Sequence, residues 1–167
     1  SSGLAPDLGE RLLAAVGARG GKLLLVRAPG RHPSAHPASR RIWWCQTTHP
    51  APEVWTATVT DPAELLEWAA LDDVRHVATA AQRVADPLLL VCTHGRRDAC
   101  CARSGRGLLA DIQHSQGEVW ESSHQGGHRF APVVLELTTG YQHGRVTSSD
   151  LAAIARAASQ GRVHLPT

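Results

Sequence analysis

Cys92, Cys101, His124 and His128 are the residues whose types and spacing point to chemistry. Two thiols and two imidazoles, each pair in a loop that follows an apolar run, make a four-ligand set. That set suits tetrahedral zinc and an iron–sulfur cluster alike. Zinc fingers place about two to four residues between their cysteines and about three to five between their histidines. Here eight residues separate Cys92 from Cys101 and three separate the histidines. Eight residues fit a wide loop around a bulkier [2Fe-2S] rhomb, each iron of which takes two protein ligands. Gly126 and Gly127, between the histidines, let the backbone approach closely and take positive φ without a Cβ penalty. Spacing and glycines favour the cluster, and a structural zinc domain with the same Cys2His2 ligands is the alternative.

At these residues the chain resembles the sucrase/ferredoxin-like family, whose pattern is Cys, eight residues, Cys, a variable stretch, then His-x-Gly-Gly-His. The match lies in Cys92, Cys101 and His124-Gln125-Gly126-Gly127-His128. The surrounding Val91-Cys92-Thr93-His94-Gly95-Arg96-Arg97-Asp98-Ala99-Cys100-Cys101 and His128-Arg129-Phe130-Ala131-Pro132 resemble its bacterial branch. The resemblance covers most of the chain, most strongly from Leu88 onward. It implies a thioredoxin-like ferredoxin domain holding a [2Fe-2S] cluster on two cysteines and two histidines. Cys100 and Cys101 differ by one register, and the family spacing selects Cys101. Family members generally begin with a further cysteine-containing segment, whereas this sequence opens at Ser1-Ser2-Gly3.

The ligand types set the expected chemistry. With Cys92 and Cys101 on one iron and His124 and His128 on the other, the potential rises from roughly −400 mV toward roughly −150 mV or above. Solvent-facing imidazoles would take up protons on reduction and make that potential pH-dependent. Around the ligands, Arg96, Arg97 and Arg129 are placed to stabilise the reduced cluster or to meet an acidic partner. Cys100 is a reserve ligand or a free thiol; His94 and His114 are candidate substitutes for the histidine ligands but lack the glycine context, so a supporting or surface role is expected, and Gly126 and Gly127 belong to the surroundings. His32 and His36 have helical spacing, but Pro33 and Pro37 forbid the helix that would pair them.

The sequence reads as α/β, with elements that would deliver these residues to one edge of a sheet. The apolar run 88–91 predicts a central strand with Cys92 at its end, where open α/β folds bind ligands. Residues 105–113 predict a helix, and 119–122 a second strand that delivers His124. Residues 133–137 and 141–146 predict a hairpin, and 150–158 the closing helix. The order β-α-β-loop-β-β-α is thioredoxin-like, with Ala131-Pro132 at the step where that fold keeps a cis proline.

Residues 87–167 form this domain, and 1–86 a smaller half without ligands. In that half Asp7 caps a helix carrying Leu12, Leu13 and Val16. A strand follows at 22–27, and residues 28–40 form a proline-, glycine- and histidine-rich loop. Two strands, 41–46 and 53–59, flank the Pro50-Ala51-Pro52 turn. Thr60-Asp61-Pro62 opens a helix with Leu65, Leu66 and Ala69 on its apolar face. Residues 72–86 make a partly helical bridge. Trp43, Trp44, Trp55 and Trp68 are the expected core aromatics of this half, with Cys45 as a small buried hydrophobe. The passage 146–151 parallels 59–65, so the first half reads as a degenerate copy of the second.

Bulk properties exclude several functions. The net charge is +2, from 17 basic and 15 acidic residues, and the basic residues are dispersed, so nucleic acid is not indicated. No apolar run approaches the ~18 residues of a membrane span. With no leader pattern and a vicinal cysteine pair unsuited to a disulfide framework, a cytoplasmic protein is expected. No methionine occurs, even at position 1, so the sequence is expected to be processed or a fragment. A Cys-x-x-Cys thiol oxidoreductase is disfavoured because that motif does not follow the first strand. Sucrose cleavage, suggested by the family name, would need a pair of carboxylates across a sugar site, and no acidic pair stands beside the tryptophans. An electron carrier or redox sensor with an unidentified reductase or acceptor is expected rather than a stand-alone enzyme.

Overall fold

The computed structural model describes residues 4–30, 38–47, 52–73, 81–96, 99–110 and 117–165. The expectations that fall on residues 31–37, 48–51, 74–80, 97–98 and 111–116, among them His32, His36, Arg97 and His114, lie outside the described residues. The chain forms two compact units: Ser1–Leu23, His32–Cys45 and Val54–Arg83 make the first, and Leu24–Arg31, Gln46–Glu53 and Val84–Thr167 the second. Among the described residues no helix is long and apolar enough to cross a membrane.

In the first unit, helix α1 (Pro6–Gly17) starts with proline in its first turn, where a missing N–H costs nothing. Ala5 is the N-cap and makes no side-chain bond, so Asp7 is not the cap. It lies within the first turn, where its charge favours the positive end of the helix dipole. Leu8 and Leu12, four residues apart, are buried, and Leu13 faces solvent.

Strands β2 (Arg40–Gln46), β3 (Glu53–Val59) and β4 (Gln82–Arg83) form a three-stranded sheet in that order. Val54, Ala57 and Val59 of β3 are buried, while Trp43, Trp44, Trp55, Trp68 and Cys45 are only half-buried. The core of this half is therefore aliphatic rather than aromatic. Large indoles are seldom enclosed completely, least of all by a small sheet. Helix α2 (Glu64–Ala70) is prepared by Asp61, whose Oδ1 accepts from Ala63 N at 2.8 Å, and none of its residues is buried.

The second unit contains the five-stranded sheet, ordered β1-β6-β5-β7-β8. Strand β5 (Leu88–Cys92) is buried at every position, as a strand covered on both faces must be. It pairs in parallel with β6 (Glu118–Ser122), setting Cys92 opposite Ser122. On its other side it pairs antiparallel with β7 (Val133–Glu136), which turns through residues 137–140 into β8 (Tyr141–Gly144). Strand β1 is short, only Val26–Arg27 pairing with β6, where a strand over 22–27 was expected. Leu89 and Val91 pack with Leu108 of α3 (Ala99–Ala110), with Val134, and with Leu151, Ile154 and Ala155 of α4 (Ser148–Ala158).

Helix α4 opens on a reciprocal cap: Thr147 Oγ1 accepts from Asp150 N at 3.2 Å, and Asp150 Oδ2 accepts from Thr147 N at 2.9 Å. The Ala131–Pro132 peptide is cis. This mixed α/β architecture is the thioredoxin-like arrangement.

Candidate metal centre

The parallel β5–β6 pair ends with two chain exits side by side, and each exit carries part of the site. Cys92 closes β5. Helix α3 begins at Ala99, six residues before the helical periodicity suggested, so Cys100 and Cys101 lie in its first turn. Gly105 sets the approach of that helix: a Cβ there would fall far inside contact distance of the Cys92 carbonyl oxygen. Only glycine lets α3 lie so close to the strand end. Cys101 is thereby brought against Cys92, and the two pack with Val133, both without solvent exposure.

From β6 the chain turns through Ser123 into the histidine loop. Gln125, buried, donates from Nε2 to Leu90 O and to Ser122 Oγ, each at 2.7 Å, and so folds the loop back onto the sheet edge. Gly126 and Gly127 take φ values of 99° and 66°, as the glycine pair predicted. Gly127 leads into the short 3-10 turn His128–Phe130.

The outcome is a cluster of three donors. The ligand atoms of Cys92, Cys101 and His124 all lie within 4.8 Å of one another. His128 stands just outside that group, its ring centroid 6.1 Å from that of His124. His94, given only a peripheral part by its sequence context, has its ring centroid 6.2 Å from that of His124. Its Nδ1 is buried without a hydrogen-bond partner. Cys100 is exposed, its thiol donating to His128 O at 3.5 Å, so helix α3 is tied to the histidine turn. Arg96 and Arg129 are exposed at the rim.

The donor chemistry fits a thiophilic cation or an iron–sulfur group. Burial first, then the neighbouring Cys92 and Cys100 thiols, push the Cys101 thiol up to about 12. Two enclosed thiols in contact cannot both ionise unless positive charge is placed between them, and a metal bound by thiolates supplies that charge.

Beneath the cysteine loop lies a carboxylate that the motif did not reveal. Glu121 is buried on β6 and accepts from Arg27 Nη2 at 2.6 Å, Thr93 Oγ1 at 2.8 Å and Gly30 N at 3.2 Å. Burial alone would raise its pKa, but these donors together outweigh that and hold it below the ordinary carboxylate range. The network anchors Thr93, the residue after Cys92. The available signals were weak: a glycine inside a helical pattern for Gly105, an acid within an apolar strand for Glu121, and none for Gln125.

Comparison with known families gives one match. The model described as sucrase/ferredoxin-like matches residues 31–166. No curated protein and no solved structure matches the chain.

Proposed function

Since the chain belongs to the sucrase/ferredoxin-like family, we propose that Cys92, Cys101, His124 and His128 hold a [2Fe-2S] cluster and that the protein transfers electrons or senses redox state. The observation that carries this reading is the meeting of two buried thiols and one imidazole within 4.8 Å, with a second imidazole one loop turn away. When bound, the group supplies a one-electron couple at a potential raised by its histidine ligands.

The chain's own residues do the rest. Cys92 and Cys101 bind from a site sealed from water, and Gly105 orients the second thiol against the first. Gln125 fixes the loop that presents His124. Both histidines are half-buried.

One observation favours the zinc reading. Ligand atoms around a single tetrahedral zinc stand about 3.5 Å apart, and a three-donor group spanning at most 4.8 Å is of that size. The two readings separate on one freshly purified, anaerobically handled sample, by absorption and EPR spectra with iron, acid-labile sulfide and zinc quantified together. Two irons and two sulfides per chain, with a visible band lost on dithionite reduction, establish the cluster. One zinc, no sulfide and a colourless solution sink the electron-transfer reading.

A further inference from the structure

The exposed charge around the metal centre is one-sided. From residue 92 to residue 145, the exposed charged side chains among the described residues are Arg96, Arg103, Arg106, Arg129 and Arg145, with no exposed acid. In the same span Glu118 is half-buried, and Glu121 and Glu136 are buried. Glu121 is committed to Arg27, Thr93 and Gly30, and Glu136 to the backbone N–H groups and hydroxyls of Thr138 and Thr139.

Two of these arginines, Arg129 and Arg145, flank an apolar centre. Phe130 is 49% exposed, yet it is held firmly at its backbone. Arg145 N donates to Phe130 O at 2.6 Å, and a Cβ on Gly144 would stand only 2.6 Å from Phe130 Cβ. Arg145 takes φ 57°, a left-handed conformation that a β-carbon disfavours. It carries its guanidinium to 5.5 Å from the Phe130 ring centroid. Arg129 belongs to the same 3-10 turn. Helix α3 adjoins that turn through the Cys100 thiol and His128 O, and Arg103 lies one helical turn beyond Cys100. Gly95 is packed close to Ala102 of α3, which puts Arg96 near the same rim.

We propose that Phe130 and the arginines around it, Arg96, Arg103, Arg129 and Arg145, form the docking surface for a redox partner protein that presents an acidic face. An aromatic centre within an arginine rim has the composition of a protein interface, and weak redox encounters bury small areas and rely on electrostatic steering. The Arg145 guanidinium stands over the Phe130 ring and leaves about half of the residue open to a partner. The surface abuts His128, so a partner seated there lies beside the redox group. In that respect the inference rests on the function proposed above.

The test uses the 167-residue chain and an acidic flavodoxin as probe, with association and dissociation followed by biolayer interferometry. Measurements at about 0.01 M and about 1 M ionic strength correspond to Debye lengths of about 30 Å and about 3 Å. The double variant R129E/R145E is expected to associate at least about tenfold more slowly at low salt, with the difference vanishing at high salt. Arg103→Glu should act in the same direction, and R129K/R145K should restore binding. Phe130→Ser should speed dissociation about tenfold at both salts. Far-UV circular dichroism and an unfolding midpoint on each variant separate loss of binding from loss of fold.

Binding that ignores these charge reversals overturns the proposal. So does tighter binding to duplex DNA or anionic vesicles, or occupation of the surface by a second copy of the chain. Binding needs no bound metal, and iron, sulfide and zinc are assayed on the same samples. A zinc protein that still docks flavodoxin through these arginines refutes the cluster and keeps the surface. A cluster protein whose docking is blind to charge does the reverse.

Discussion

In the five-stranded sheet, β5 is buried along its whole length and runs parallel to β6, with Cys92 level with Ser122. In the three-stranded sheet, β3 is buried only at Val54, Ala57 and Val59 and runs antiparallel to β4, Trp55 facing Arg83. The difference lies in where the chain leaves. A parallel pair releases both of its following loops at the same edge, whereas an antiparallel pair sends them to opposite ends. That is why the cysteine loop and the histidine loop meet. The thiol-bearing helix and the buried carboxylate then find a common edge to serve. The three-stranded sheet, with two tryptophans and a cysteine in β2, has no such edge among its described residues.

The sharpest way to break this contrast is at the ligands. Cys101→Ser and His124→Ala should each cost more metal retention than the roughly 10–100-fold typical of losing a supporting residue. Cys45→Ser, in β2, should leave metal content unchanged. Elemental analysis with far-UV circular dichroism on the same samples checks both halves of the statement.

Packing gives the next effect. Leu89→Ala should destabilise by about 2–5 kcal/mol. Val54→Ala, equally enclosed but smaller, should cost about 1.5–3 kcal/mol, both read by urea unfolding.

The helix approach gives a third. Gly105→Ala drives a methyl into the Cys92 carbonyl and should cost about 1–3 kcal/mol together with metal retention. Gly107→Ala, two residues on and in open space, should stabilise by about 0.5–1 kcal/mol. If both variants behave alike, the close approach of α3 to β5 is wrong.

The smallest effect is a pH dependence. Glu121 has a lowered folded pKa, so its stabilising contribution is present in full above its unfolded value of about 4.3 and is lost as pH falls through the folded value. The stability gap between wild type and Glu121→Gln should hold steady from about pH 8 to about pH 5 and close below about pH 4. A gap that widens on acidification would contradict the Arg27–Glu121–Thr93 network.

Much of this protein was legible one residue at a time. The apolar run 88–91 marked the central strand, since only burial on both faces tolerates four such residues in succession. The run from Asp150 marked the last helix, two residues inside its start at Ser148, and Gly126-Gly127 marked a loop with positive φ. Helix α3 was less legible, because its first turn holds Ala99, two cysteines and no apolar stripe, so periodicity placed its start at Gly105. The tryptophans misled, because their size and apolar rings suggested a core that aliphatic residues fill.

Local chemistry along the chain therefore determined the donor types, the strand that carries Cys92 and the loop that carries the histidines. Those are properties of short segments, set by side-chain type and backbone freedom. Tertiary structure alone decided that the two segments meet, that Gly105 admits Cys101 to Cys92, that Gln125 folds the histidine loop inward, that His94 stands as near His124 as His128 does, and that Glu121 lies beneath them. Each depends on groups about 10 to 90 residues apart along the chain being held at contact distance, and spacing in a sequence carries no record of that until strand pairing brings them together.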